Sequence, residues 1–97
     1  MAQVGNDHES ILAEADSLIN GDRAKTYGDF RENWQRTVNI FSQLTGIELT
    51  IKQALYFMVA VKLAREAHMS KRDNRVDTCG YLELIDKLTR LINHKMP

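Results

Sequence analysis

The chain predicts an all-α fold, a compact four-helix domain with a long antiparallel C-terminal helical hairpin. Three observations carry this expectation: Pro97 at the terminus is the single proline, the five glycines fall mostly between periodic segments, and convincing strand alternation is missing. Ninety-seven residues cannot hold two hydrophobic cores. Residues 1–97 therefore read as one helical domain, with an ordered core over about 8–93 and frayed tails at 1–6 and 94–97.

The first helix is expected from about Asp7 to Asn20, because Ile11, Leu12, Ala15, Leu18 and Ile19 recur at helical spacing. Asn6 and Glu9 would cap its start, and Gly21 would stop it. From Gly21 to Gly28 the chain is polar and glycine-bracketed, a connection rich in chemistry for so small a domain. Asp29 then reads as an N-cap, with Glu32 in the capping-box position. Phe30, Trp34, Val38, Phe41 and Leu44 form one face of a second helix ending near Thr45 and Gly46. Thr50 and Gln53 form another capping box. The third helix, Ile51 to His68, is apolar around most of its circumference and reads as the central one. The fourth, from about Asp73 to Asn93, carries Tyr81, Leu84, Ile85, Leu88, Leu91 and Ile92 on one stripe.

Composition narrows the function classes. Apolar residues make up 43% and charged residues 27%, as in ordinary globular proteins, and thirteen Lys and Arg balance thirteen Asp and Glu. That neutrality removes the basic excess of a protein that mainly grips phosphate backbones, and equally disfavours an acidic DNA mimic. The lone Cys79 excludes an internal disulfide and a cysteine-cluster zinc site. No segment resembles a secretory signal, and no apolar run approaches the roughly 18 residues of a membrane span. A cytoplasmic setting is expected, with no membrane partner.

Two rows of charge fall where apolar residues are expected. With about 100° per residue, Lys62 shares a stripe with Ile51, Leu55 and Met58, and Arg65 lies at its edge. Asp73 and Asp77 line up with Leu84, Leu88 and Leu91. In an antiparallel hairpin turning near residues 69–70, Ile51 comes level with Leu88, Leu55 with Leu84, Met58 with Tyr81, and Lys62 with Asp77. Arg65 comes level with Asp73 and Asn74. A buried unpaired ion costs several kcal/mol, so these four charges are expected to neutralise one another in a partly enclosed network. Such a network either fixes helix register alone or lines a pocket for a phosphate or metal. Gly80 costs about 1 kcal/mol inside a helix, which suggests that a backbone or ligand approaches there.

Arg23 and Lys25 in the glycine-bracketed segment suit an anion, Tyr27 suits stacking or hydrogen bonding, and Asn33 suits a polar edge; the plainer reading is a solvated loop. Trp34 falls at core spacing. His8, His68 and His94 share no ligand pattern and read as surface residues, and Cys79 reads as a buried thiol. No metal site or resident cofactor is expected. Ala60, Ala64 and Ala67 form either a solvent face or a close helix contact, including one between subunits. No helix presents a row of base-reading residues, so DNA binding is disfavoured.

The pattern Gly21-Asp22-Arg23, Tyr27-Gly28-Asp29, Asn33, Lys62-Leu63-Ala64-Arg65, Asp73-Asn74 and Asp77-Thr78-Cys79-Gly80-Tyr81 resembles a family of small helical proteins encoded by tailed phages and prophages. The resemblance spans residues 10–90 and implies the fold and a phage origin; it implies no activity. The chain is more weakly similar to the all-α nucleotide pyrophosphohydrolases, in which paired helical carboxylates hold magnesium. Here Glu83 and Asp86 supply one pair, but the third helix has no Glu-x-x-Glu, and helical geometry points Glu83 and Asp86 away from Asp77.

The resulting expectation is a phage-type accessory protein that binds a nucleotide or a host protein, with no catalytic residue assigned. Its ligand-binding residues would be Arg23, Lys25, Tyr27, Asn33, Lys62, Arg65, Asp73, Asp77 and Tyr81. The alternatives are a metal-dependent pyrophosphohydrolase using Asp73 and Asp77, and a purely structural or interaction module, with a homo-oligomer left open.

Overall fold

The computed structural model describes residues 9–22 and 29–95, and among these the fold is all-α with no strand. Helix α1 spans Ile11–Ser17 and runs into a wider π-helical turn, Leu18–Asp22. Helices α2 (Phe30–Thr45), α3 (Ile51–His68) and α4 (Arg72–Lys95) follow.

Local chemistry sets each boundary. Helix α1 begins later than the periodicity suggests: Ser10 is its N-cap, with Oγ accepting the Ala13 N–H at 3.0 Å. Asn6 and Asp7 lie outside the described residues. Gly21 kinks this stretch one residue before its end through a non-helical backbone (φ −107°, ψ −105°), and does not form a left-handed cap. Asp29 caps α2 by accepting the Arg31 N–H at 2.8 Å, and it also takes the Arg31 guanidinium. The carboxylate faces Arg31, which holds it below the usual aspartate range, and Glu32 closes no capping box. Gly46 terminates α2 in the left-handed region (φ 75°), its N–H reaching Ser42 O at 2.8 Å. The Thr50–Gln53 box opens α3 with both reciprocal bonds formed, at 2.9 and 3.0 Å.

Helix α4 is the centre of the molecule, where the sequence suggested α3. It packs against both α1 and α3, and Val76, Leu84 and Ile85 on it are buried. Leu55 of α3 joins Leu84 and Ile85 in the core cluster, with Ile19, Phe30, Trp34, Ile51, Val59 and Tyr81 packed around it. On α3 only Ala54 and Leu55 are fully buried, so hydrophobicity all round that helix did not mean burial all round. Leu44 likewise sits about 120° around α2 from Val38 and is exposed, off the covered face. Cys79 is half-buried, less enclosed than expected, and His68 is exposed.

Contacts along α1 and α4 ascend together. Arg72 donates to Glu14 Oε1 at 3.1 Å and to Glu9 O at 2.6 Å, Ile19 lies against Gly80, and Lys87 bonds Asn20. Helix α1 therefore runs parallel to α4, whereas α3 runs antiparallel across the short turn at residues 69–71. At Gly80 the neighbour is a side chain: a Cβ added there would meet Ile19 Cγ2 at 3.5 Å, ordinary van der Waals distance. The glycine is buried, but its missing side chain is not required for packing. Gly80→Ala is therefore expected to raise stability by up to about 1 kcal/mol through helix propensity, measured by urea denaturation; a loss of stability would mean that the helices cannot accommodate the methyl group.

Candidate functional site

The first candidate is the polar pair in the α3–α4 seam. Lys62 Nζ lies 2.7 Å from Asp77 Oδ2, and their side chains are only 11% and 9% exposed. Both charges are thus largely removed from water and neutralise each other at the expected helical level. The rest of the expected network is looser. Asp73 reaches Lys62 Nζ only at 4.0 Å and its side chain is 76% exposed, so it fringes the pair. Arg65 does not join: it is exposed and has no ion-pair partner among the described residues. Three residues on from Lys62 it points about 60° to one side, enough to leave the seam.

The remaining predicted residues scatter. Tyr81 is half-buried and packs edge-on against Trp34, with ring centroids 6.2 Å apart and planes at 85°. Asn33 is half-buried one turn into α2, where its carbonyl accepts the Thr37 hydroxyl at 2.9 Å. Arg23, Lys25 and Tyr27 lie outside the described residues. Beside Asp77, the void facing Ala15, Ile19 and Gly80 is about 20 Å³. That holds one water at most and no organic ligand.

A second polar cluster, unforeseen from sequence, closes the α3–α4 turn around Glu66. Its carboxylate accepts from Ser70 Oγ at 2.7 Å, Lys71 N at 2.9 Å, Asn74 Nδ2 at 3.3 Å and Arg75 Nη1 at 2.6 Å. Asn74 is buried, and Glu66 and Met69 O are its partners. The hydroxyl of Ser70, the Lys71 N–H and the Arg75 guanidinium together pull the Glu66 carboxyl down to about 2. The sequence signal was present in the i, i+4 spacing of Glu66 and Ser70, but such a pair on its own resembles ordinary surface chemistry.

A third region lies between the first turn of α2 and the last turns of α4. Phe30, Lys87, Arg90, Leu91 and Asn93 line an open groove of about 690 Å³ between the start of α2 and the last turns of α4. The Lys87 ammonium bonds the neutral Asn20 amide oxygen, and Asn20 in turn donates to Asp16 at 2.7 Å. Arg90 is held by Asp86 at 2.8 Å and Glu83 at 3.3 Å, so the carboxylate pair of α4 is occupied by a cation. Among the described residues no three His, Cys, Asp or Glu side chains converge as metal ligands, and no helix is long and apolar enough to cross a membrane.

These features define a small all-α protein whose interior charges are matched pairwise. The chain belongs to the DUF6378 family, described as a domain of unknown function, which matches residues 10–89. That span holds every residue of the motif noted above. The Gene 55 protein of Mycobacterium phage L5 is 35% identical over 81 residues, covering 81% of this chain and 52% of that protein. The Gene 55 protein of Mycobacterium phage D29 is also 35% identical over 81 residues, covering 82% and 54%. The chain thus spans about half the length of the curated relatives it matches, and it is of phage type. No solved structure matches it.

Two outcomes follow from the polar clusters. Lys62→Met strands Asp77 and should cost about 3–5 kcal/mol, whereas Asp77→Leu should cost less because Asp73 remains near the ammonium. The double variant should recover most of the loss in a urea-denaturation cycle; additive losses would show that the two charges do not interact. For Glu66 the folded-state value lies below the ordinary 4.5, so its contribution is complete above that pH and fades as pH falls toward about 2. Thermal melts of Glu66→Gln should show a shallower loss of stability across that window than the parent; parallel curves would contradict the assignment.

Proposed function

We propose that the protein is a phage accessory protein that acts by binding, and that its ligand is a nucleotide held at the groove between α2 and α4. The observation that carries this reading is the groove's composition. Phe30 and Leu91 give it apolar walls, Lys87 and Arg90 stand at its rim, and its volume falls in the range of small-molecule sites. In sequence, the segment bearing Arg23, Lys25 and Tyr27 follows Asp22, two residues after Asn20, a partner of Lys87, and precedes Asp29 and Phe30. Phosphates would meet Arg23, Lys25 and Lys87, and a base or sugar would meet Tyr27 and Phe30. Lys62 and Asp77 then serve as a register pair away from the site, since each already satisfies the other. Hydrolysis by Asp73 and Asp77 is disfavoured because Asp77 is engaged by Lys62 inside the seam while Asp73 lies exposed at its fringe, and Glu83 with Asp86 is engaged by Arg90.

A host-protein ligand is the second reading, favoured by exposed Leu12 and Leu82 flanking a cleft between α1 and α4. Calorimetric titration with nucleoside mono-, tri- and cyclic phosphates separates the two. Saturable binding is expected, weakened roughly tenfold or more by Lys87→Met or Arg23→Ala through loss of a charge-assisted contact. Absence of saturable binding across the nucleotide set would overturn the nucleotide reading.

A further inference from the structure

Helix α3 carries an apolar seam that no described element covers. Tyr56, Phe57, Ala60, Leu63, Ala64 and Ala67 are all exposed, with Tyr56 at 52%, Phe57 at 65% and Leu63 at 53%. Their spacing is the heptad pattern of a helix that packs on another helix, and it continues one turn back to Gln53. The opposite side of α3 is already occupied by the core around Leu55. This helix is therefore built to be covered on two sides and, among the described residues, is covered on one.

We propose that the seam packs against the same seam of a second copy, with the two α3 helices antiparallel and the two-fold axis passing near Ala60. The size gradient along the seam argues for this occupant and this direction. Aromatic side chains stand at one end, at Tyr56 and Phe57, and alanines at the other, at Ala64 and Ala67. Antiparallel pairing sets Tyr56 against Ala64 and Phe57 against Leu63 of the second copy, while Ala60 meets Ala60. Each ring thus faces an aliphatic side chain in place of another ring, and the facing Ala60 residues let the backbones approach closely at the axis. Parallel pairing would crowd ring against ring at one end and leave methyl groups apart at the other. No charged residue falls within the seam, so closing it strands no ion.

The area fits a reversible association. A fully covered aromatic side chain buries about 150–250 Å², so the two rings, half to two-thirds exposed, offer on the order of 100 Å² each. With Leu63, Gln53 and the alanines, each copy offers on the order of 450 Å² and the pair on the order of 900 Å², below the roughly 1,200 Å² of standard specific interfaces and in the range of weak, transient ones. The dimer is accordingly concentration-dependent.

Sedimentation equilibrium from low micromolar to near-millimolar protein tests this directly. The mass should rise from 11.1 kDa toward twice that value, and Ala60→Glu should abolish the rise while leaving the circular dichroism spectrum unchanged. In a Cys79→Ser background, Ala60→Cys should form a disulfide-linked dimer readily and Ala67→Cys should not, because antiparallel packing separates the two copies of residue 67 by about 21 Å along the axis. A chain that stays monomeric at every concentration would overturn the proposal and assign the seam to a different protein or to further chain. Cross-linking at 67 as fast as at 60 would overturn the antiparallel geometry.

Discussion

Between α3 and α4, the ammonium of Lys62 and the carboxylate of Asp77 meet at 2.7 Å, each largely shielded from water, and the rest of the helical arrangement is keyed to that contact. A slip of one helical turn between the two helices would set Lys62 level with Tyr81 and Asp77 level with Glu66 or, in the other direction, Asp77 level with Met58, so that at least one charge loses its opposite partner. The pair thus excludes neighbouring registers more than it adds net stability, since buried ion pairs roughly balance attraction against desolvation. With α3 fixed, α4 becomes the shared wall for α1 and the core, and Arg72, Ile19 and Lys87 set α1 alongside it. The Glu66 cluster reinforces the same register at the turn, where one carboxylate collects four hydrogen-bond donors.

The neutrality of the chain acquires a structural meaning. Arg31 meets Asp29, Arg72 meets Glu14, Arg75 meets Glu66 and Arg90 meets Asp86, so opposite charges are matched locally and not merely in total. Most of these pairs are exposed or half-exposed and contribute little individually. Lys87 differs because its partner is an uncharged amide. That difference, together with the apolar groove beside it, is what the proposed phosphate contact at the junction of α2 and α4 rests on.

Helix boundaries were readable wherever a side chain closes a backbone bond, as at Asp29, Gly46 and the Thr50–Gln53 box. The Lys62–Asp77 pairing was readable because charge in an apolar row demands a partner and a hairpin offers few. What escaped were features that depend on neighbours. An all-apolar helix does not say which of its faces is covered, so α3 reads as central from sequence whereas α4 holds that place. Arg65 and Asp73 share the motif with the pair, but the angular offset of one and the solvent exposure of the other depend on how tightly the hairpin closes. Glu66 drew no expectation from the sequence because its donors come from the turn and the next helix, and only folding brings them together.

The most direct measurement of the central claim is nuclear magnetic resonance of the lysine side-chain ammonium groups in the unmodified protein. A buried, paired Lys62 should give a distinct Nζ signal whose protons exchange slowly with water and show contacts to the Asp77 methylene. A Lys62 signal that exchanges as fast as the surface lysines, with no contact to Asp77, would contradict the account of how α3 and α4 are held.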